Sequence, residues 1–490
     1  MATRKKAARK TISKKTPKPS KGSSPSVSRT AKPTPAAGKS AQANAARPGA
    51  APGQGNIRIR MYRVGFGDFF LMSVPGKNGL AHILIDCGVH AGNINTIEEC
   101  VQDMAQVSGK NLALVILTHY HADHMSGFAT CYDDFTEFNV GAVWITNRLD
   151  PDNPDASKFM MQLTNVAQQL KMQLGARGDT TSETHHKVEN ALGVASEDGG
   201  GGSNAKALKL LRSGFKNKPP VYYYQGGDKP TLPDELEGMI TAEILAPSPK
   251  DSGGKFAASD NKTEQYLAAL GDNGVPDTTR IQPFDTKNWP GFANEYPRHT
   301  FEEFDGTGQM ERTLEEMQPD ALAAAADKLD GTLNNQSLVV LFTCNGKKLL
   351  FVGDAQWGNW AYWLYGKAVT GSDPGISDRA KEILGSIDFY KVGHHGSTNA
   401  TPIPVVGALN QDCAAMCSTA TGCYGNPERK TEVPRTALMD ALEKRTALRM
   451  VRSDWVAAGD AKPDRQARQE LPELPKGFTT PEKLYIDYSL

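Results

Sequence analysis

Three histidines and an aspartate crowd into six positions: His119, His121, Asp123 and His124, within "LTHYHADHMSG" at residues 117–127. Histidine is scarce elsewhere, 10 in 490 residues, so chance placement at the surface explains the cluster poorly. Neutral imidazoles and a carboxylate suit a borderline-soft ion such as zinc, and equally manganese or iron. The run follows the apolar stretch "LALVIL", which reads as a buried strand. A turn just past a strand end can aim alternate side chains at one point. Desolvating such a cluster with nothing to pair it would be expensive.

Two later segments have the same form. "LLFVGDA" ends in Asp354, and "DFYKVGHHGST" ends in His394 and His395. A lone Gly-Asp or a lone histidine says little, but three strand ends carrying ligand-type residues say more. The elements that must position them are legible as hydrophobic patterns. "IRIRMYRVG", "FFLMSVP" and "HILIDCG" read as strands, "TIEECVQDMAQV" as a helix and residues 155–174 as a second helix. "VYYYQ", "MITAEILA", "SLVVLFTC" and "KLLFVGD" are further strands, with an Ala-rich helix near 320–329. Strands interleaved with helices predict an α/β layered domain.

Charge is segregated along the chain. Of 55 Lys and Arg, 13 lie in residues 1–50, and no acidic residue precedes Asp68. The rest carries 42 basic against 55 acidic residues, a net of −13. Residues 1–55 have too little to bury to offset their ordering entropy and are expected to be a disordered basic tail. Such a tail serves either as a nucleic-acid contact through counterion release or as a solubiliser. The body, 56–490, contains a helical and loop segment at 150–215 and an acidic insertion at 248–330, a candidate surface for a protein partner. No apolar run is long enough to span a membrane. Seven cysteines in a chain this long fit reduced thiols in a cytoplasm. The spacing of Cys413, Cys417 and Cys423 lacks the paired pattern of a structural zinc site.

These stretches resemble the metallo-β-lactamase fold, and within it the soluble hydrolase domain of the ComEC competence proteins. "MYRVGFGDFFLMSV", "ILIDCG", "LTHYHADHMSG", "NNQSLVVLFTCNGKKLLFVGDA", "DFYKVGHHGSTNATP", "MCSTATGCYGNP" and "MVRSD" match that group's segments in order. The resemblance implies an αβ/βα sandwich: two mixed sheets flanked by helices. It also implies a two-metal site, with His119 and His121 on the first ion and Asp123, His124 and His394 on the second. Asp354 would bridge the two. Zinc is the expected metal, with manganese or iron as alternatives.

The implied activity is phosphodiester hydrolysis, as a phosphodiesterase or nuclease using a metal-bound hydroxide. Asp123 would orient the nucleophile, and His395 would protonate the leaving group, hold a phosphate or support a ligand. Gly396 and Ser397 are candidates for contacting an anionic oxygen, Asp68 for receiving an N–H from a ligand imidazole, and Asn335 and Ser337 for lying near the site. The alternatives are a carboxyl-ester, lactone or thioester hydrolase, or a partner-gated module with weak catalysis. Two positions depart from the family. Ala246 stands where enzymes of the fold often supply a third histidine to the first metal, for which His185 or His186 could substitute. Asn426 stands where a histidine is frequent. Trp357, Trp360 and Trp363, at helical spacing, are more readily a core stripe than a nucleobase platform.

Overall fold

The computed structural model describes residues 56–92, 94–192, 203–249, 319–366, 375–425, 427, 431–457, 470–471, 474–480 and 483–490. The expectations for the tail, for most of the acidic insertion and for Asn426 lie outside the described residues.

One mixed sheet contains β1 (Arg58–Tyr62), β2 (Phe69–Gly76), β3 (Gly79–Cys87), β4 (Asn111–Leu117), β5 (Asn139–Thr146), β6 (Val221–Tyr224), β15 (Phe478–Thr479) and β16 (Tyr485–Ser489). Its order is β15-β16-β1-β2-β3-β4-β5-β6. The second contains β7 (Ile240–Ala246), β8 (Val339–Cys344), β9 (Lys347–Phe351), β10 (Phe389–Lys391), β11 (Ala414–Cys417) and β12 (Met450–Arg452), in order β12-β11-β10-β9-β8-β7. A short pair, β13 (Val456–Ala457) and β14 (Glu470–Leu471), stands apart. Strands β3 to β6 run parallel, as do β9 to β12. Covered on both faces, these parallel strands need near-continuous apolar sequence, which is what "LALVIL" supplies.

The alternation of side chains divides the core into layers. Ile59, Phe70, Ile83 and Trp144 of the first sheet face Phe342, Phe351, Phe389 and Met416 of the second. The next residues along β3 and β4, Leu84 and Val115, point outward onto α1 (Ile97–Ser108) and α2 (Ala122–Thr130). A capping box at Thr96 and Glu99 starts α1. On the outer face of the second sheet lie α8 (Trp357–Tyr365), α9 (Asp378–Ser386), α10 (Ile403–Ala408) and α11 (Thr436–Arg445). Trp360 is fully buried there, and its indole N–H donates to the Ala400 carbonyl at 3.0 Å. The tryptophan stripe is therefore core, and Trp360 offers no face to a base.

Beyond α3 (Tyr132–Phe135), a further group of helices gathers beside the sandwich. It comprises α4 (Pro154–Ala176), α5 (Glu183–Leu192) and α7 (Pro319–Asn334), while α6 (Ser203–Lys209) packs through Ala207 and Leu208 onto the layer of α2. Leu163, Val166, Leu170, Val188, Leu329 and Leu333 pack α4, α5 and α7 together. Helix α7 runs past the expected 320–329 because Leu329 and Leu333, one turn apart, are both buried. This helical cap brings α5 and α7 to the site described next.

A buried ion pair ties β16 to β1. The Arg60 guanidinium grips Asp487 with two bonds of 2.8 Å and reaches Asp103 at 2.5 Å. Buried charges persist only when paired in this way.

Candidate metal centre

The site forms where strand ends of the two sheets meet. Asp86 comes from the end of β3, His119 to His124 follow β4, Asp354 follows β9, and His395 follows β10. Each side chain is aimed by a local backbone device. Asp86 has φ 56° and sits at a bulge, where β2–β3 pairing steps from Phe70↔Ile85 to Phe69↔Cys87. A bulge re-aims one side chain out of the alternation. At Gly353, a Cβ would lie 2.7 Å from Thr118 Oγ1; at Gly88, one would lie 2.5 Å from the His124 nitrogen. The two turns approach too closely for any other residue.

Three metal-capable groups occur among the described residues: Asp123, His124, Asp354 and His395; His119, His121 and Asp123; and Asp68, Asp86 and His124. Asp354 Oδ2 stands 3.1 Å from His124 Nε2 and 3.2 Å from His395 Nε2. Asp123 Oδ2 is 3.1 Å from His395 Nε2. His119 Nε2 and His121 Nδ1 face each other at 3.1 Å. Asp123 Oδ1, Asp354 Oδ2, His124 Nε2 and His121 Nε2 are buried without a hydrogen-bond partner among the described residues.

The far nitrogens of the imidazoles show which lone pairs are free. His124 Nδ1 donates to Asp86 Oδ2 at 2.8 Å. His395 Nδ1 donates to the Ser418 carbonyl at 2.8 Å. Thr118 gives its hydroxyl proton to Asp86 at 2.7 Å, which leaves its oxygen to accept from His119 Nδ1 at 3.1 Å. The nitrogens left over, Nε2 of His119, His124 and His395, point into the cluster. Outer acceptors of this kind fix the tautomer and orientation of metal ligands.

The electrostatics also favour a cation. Four carboxylates, Asp68, Asp86, Asp123 and Asp354, are buried, and among the described residues the lysine that meets them is Lys391. Burial opposes the Lys391 charge, but Asp68 and Asp354 outweigh it and raise its pKa. Burial opposes a charge on His395 too, yet Asp354, Asp123 and Asp68 push its pKa up to about 10. His124 is raised for the same reason, with Asp354 the strongest of its acidic neighbours. Burial raises the Asp123 carboxyl, but His124 and His395 more than reverse this and hold it below the usual range. Burial and the neighbouring His124 and His121 instead lower His119 well below its usual value, so it stays a neutral donor. Unpaired buried oxygens and oriented lone pairs around a negative field fit a divalent metal.

Not every expected residue joins the site. His119, His121, Asp123, His124 and Asp354 come together, but His394 does not; His395 takes its place. The pair lies in a turn where His394, His395 and Gly396 all have positive φ, at 41°, 51° and 78°. The turn rotates His395 inward and commits His394 elsewhere. His394 Nδ1 is 2.6 Å from Ser397 Oγ, and its Nε2 is 3.3 Å from Asn334 Nδ2. His395 has its Nδ1 on the Ser418 carbonyl and its Nε2 in the cluster, 3.1 Å from Asp123 Oδ2. The Gly396 N–H donates to the Gly393 carbonyl and Ser397 Oγ contacts Asn399, so both serve the turn. Asp68 pairs with Lys391 and has oxygens 3.6 Å from Nδ1 of His124 and of His395, while Asp86 takes the hydrogen bond from His124 Nδ1. Ser337 accepts from the Asp354 amide at 3.0 Å, and Asn335 accepts from the Asn359 amide at 2.9 Å. Ala246 is buried opposite Val339. Neither His185, beside Glu189 at 3.8 Å, nor His186, whose ring lies 6.1 Å from that of His90, enters a metal-capable group. No cysteine enters one either.

Sequence reasoning missed Asp86, Thr118 and Lys391. Asp86 and Lys391 were visible as polar residues at the ends of "ILIDCG" and "FYKVG". Only the pairing of β3 with β4 shows that Asp86 meets Thr118 and His124.

A family model described as the metallo-beta-lactamase superfamily matches residues 70–131, from β2 through α2. Among curated proteins, none matches the chain significantly. The two mixed sheets flanked by helices are the architecture of the metallo-β-lactamase fold. The family match and the buried His/Asp cluster together point to a metal-dependent hydrolase. No helix among the described residues is long and apolar enough to cross a membrane.

Proposed function

We propose that this protein is a ComEC-like phosphodiesterase or nuclease that uses two divalent metal ions, zinc first among them. The observation that carries this reading is Asp354 Oδ2, set between His124 Nε2 at 3.1 Å and His395 Nε2 at 3.2 Å beside the unpaired Asp123 Oδ1. His119 and His121 would hold one ion, Asp123, His124 and His395 the other, with Asp354 shared. A divalent ion bound there lowers the pKa of a water to near 7 and offsets charge on a phosphoryl oxygen, and paired ions suit in-line displacement.

The chain does the positioning. Asp86, Thr118 and the Ser418 carbonyl hold three imidazoles in their tautomers. Ser337 pins the Asp354 backbone. Lys391 bonds the Gly353 carbonyl at 2.8 Å and keeps Asp68 and Asp354 paired. Phe66 packs 4.2 Å from the His395 ring and excludes water from that side. Asp123 Oδ1 is the oxygen placed to accept a hydrogen bond from an attacking water. The second position, with more carboxylate around it, fills first.

A net charge of −13 outside residues 1–50 repels a polyanion, and the 13 basic residues before it would offset that by counterion release. The seven unpaired cysteines suit a reducing compartment such as the cytoplasm. The test is turnover of bis-p-nitrophenyl phosphate and of single-stranded DNA and RNA by metal-loaded protein, with Asp354→Asn as control. Diester cleavage lost in the variant is expected. Turnover of a lactone or thioester panel with none of any diester would overturn the reading.

A further inference from the structure

Three of the four clustered imidazoles have an acceptor for the nitrogen turned away from the cluster. His121 is the exception. Its Nδ1 faces His119 Nε2 at 3.1 Å, so for both lone pairs to converge on one ion, His121 must carry its proton on Nε2. That Nε2 is buried and has no hydrogen-bond partner among the described residues. The nearest acidic oxygen is Asp330 Oδ1, at 3.8 Å. Asp330 belongs to α7, a helix of the cap rather than of the sandwich. Its other oxygen is held by Asn334 Nδ2 at 2.9 Å, one turn along the same helix. Helix α7 is anchored to α4 and α5 by Leu329 and Leu333, so docking of the cap sets where Asp330 lies.

We propose that Asp330 is a positioning residue for the first metal: it closes onto His121 Nε2 and thereby ties occupancy of that site to docking of the helical cap. This rests on reading the cluster as a metal centre. With Ala246 supplying no third histidine, the His119–His121 pair depends more heavily on correct imidazole orientation, and the cap provides it. Coupling is reciprocal: a metal held by His121 must hold α7 in place as strongly as α7 favours the metal.

The test is zinc titration of the full chain by calorimetry, with metal analysis after dialysis, on wild type, Asp330→Asn and Asp330→Glu. Hydrogen exchange of α7 is followed with and without zinc. The expected result is two equivalents in wild type. In Asp330→Asn one of them should weaken by about 10–100-fold while the other is unchanged. Asp330→Glu, which restores the charged carboxylate that Asn lacks, should recover most of that loss. Zinc should slow α7 exchange in wild type and not in Asp330→Asn. Two equivalents at wild-type affinity in Asp330→Asn would overturn the inference and leave the metal centre standing. No zinc bound by wild type would overturn the metal reading itself, and this inference with it. Unchanged melting temperatures separate loss of positioning from loss of fold. Were Asp330→Asn unfolded, folded Asp330→Ala takes its place on the same readouts: a weakened site would support the proposal, and wild-type zinc affinity with zinc-slowed α7 exchange would contradict it.

Discussion

His394 and His395 are chemically identical neighbours, and only backbone conformation separates them. Three successive residues at positive φ place one ring among Asp123 and Asp354 and the other among Ser397, Asn399 and Asn334. For the two histidines, strain of this kind costs of order 1–3 kcal/mol each and persists only where surrounding contacts hold it. Here the Gly396 carbonyl accepts from the Arg435 amide at 2.7 Å, and Ser418 accepts from His395. The two substitutions should therefore part company. His395→Ala is expected to lose a metal equivalent on dialysis and, with it, hydrolytic turnover. His394→Ala should keep both equivalents and stay within about tenfold of wild type in metal affinity, the lower end of what a supporting residue contributes. Metal analysis and diester turnover on both variants check this; loss of metal from His394→Ala alone would reverse the assignment.

At the level of elements, strands were the most legible part of the sequence. Strands buried on both faces read as continuous apolar runs, as "LALVIL", "VVLFTC" and "KLLFV" do. Their exceptions were less readable. The bulge that turns Asp86 inward leaves no pattern in "HILIDCG", because it is a property of how β2 and β3 pair. His82, on the same strand, shows a second consequence of pairing. It lies opposite Ser73, whose hydroxyl is 2.9 Å from its Nδ1. Burial, with Arg58 and Arg60 nearby, lowers its pKa from 6.5 to about 4. The folded state resists the proton that the unfolded chain accepts, so acidification from 6.5 to about 4 removes stability. The slope is at most about 1.4 kcal/mol per pH unit, or roughly 3 kcal/mol across the window. Urea denaturation against pH should show this loss in wild type. His82→Gln should be flatter between those values; an identical slope would exclude His82 as its source.

For the whole molecule, the centre joins parts that lie far apart in the chain. Asp86 and His119 to His124 belong to the first sheet, Asp354 and His395 to the second, and Asp330 to the cap. None of these layers holds a complete ligand set. An ion bound between them stabilises the assembled state and has far weaker claims on the unfolded chain. Zinc at 100-fold over its dissociation constant is expected to add about 2.7 kcal/mol to unfolding. Chelation should withdraw it, shifting the urea midpoint down without a change in slope. A midpoint indifferent to both would remove the metal from the account of stability.

The sequence by itself determined the chemistry and the frame. Ligand-type residues at three strand ends, with apolar runs behind them, specify a metal-suited cluster on a layered α/β fold, because residue type and hydrophobic period are local properties. Tertiary structure alone decided how the cluster is wired. It chose His395 over His394, set Asp86 rather than Asp68 behind His124, paired Asp68 with Lys391, and brought Asp330 beside His121. Each choice depends on which backbones approach one another and on a turn or bulge that re-aims one side chain. Contacts between residues as far apart in the chain as His395 and Asp123, 272 positions, leave no trace in local spacing.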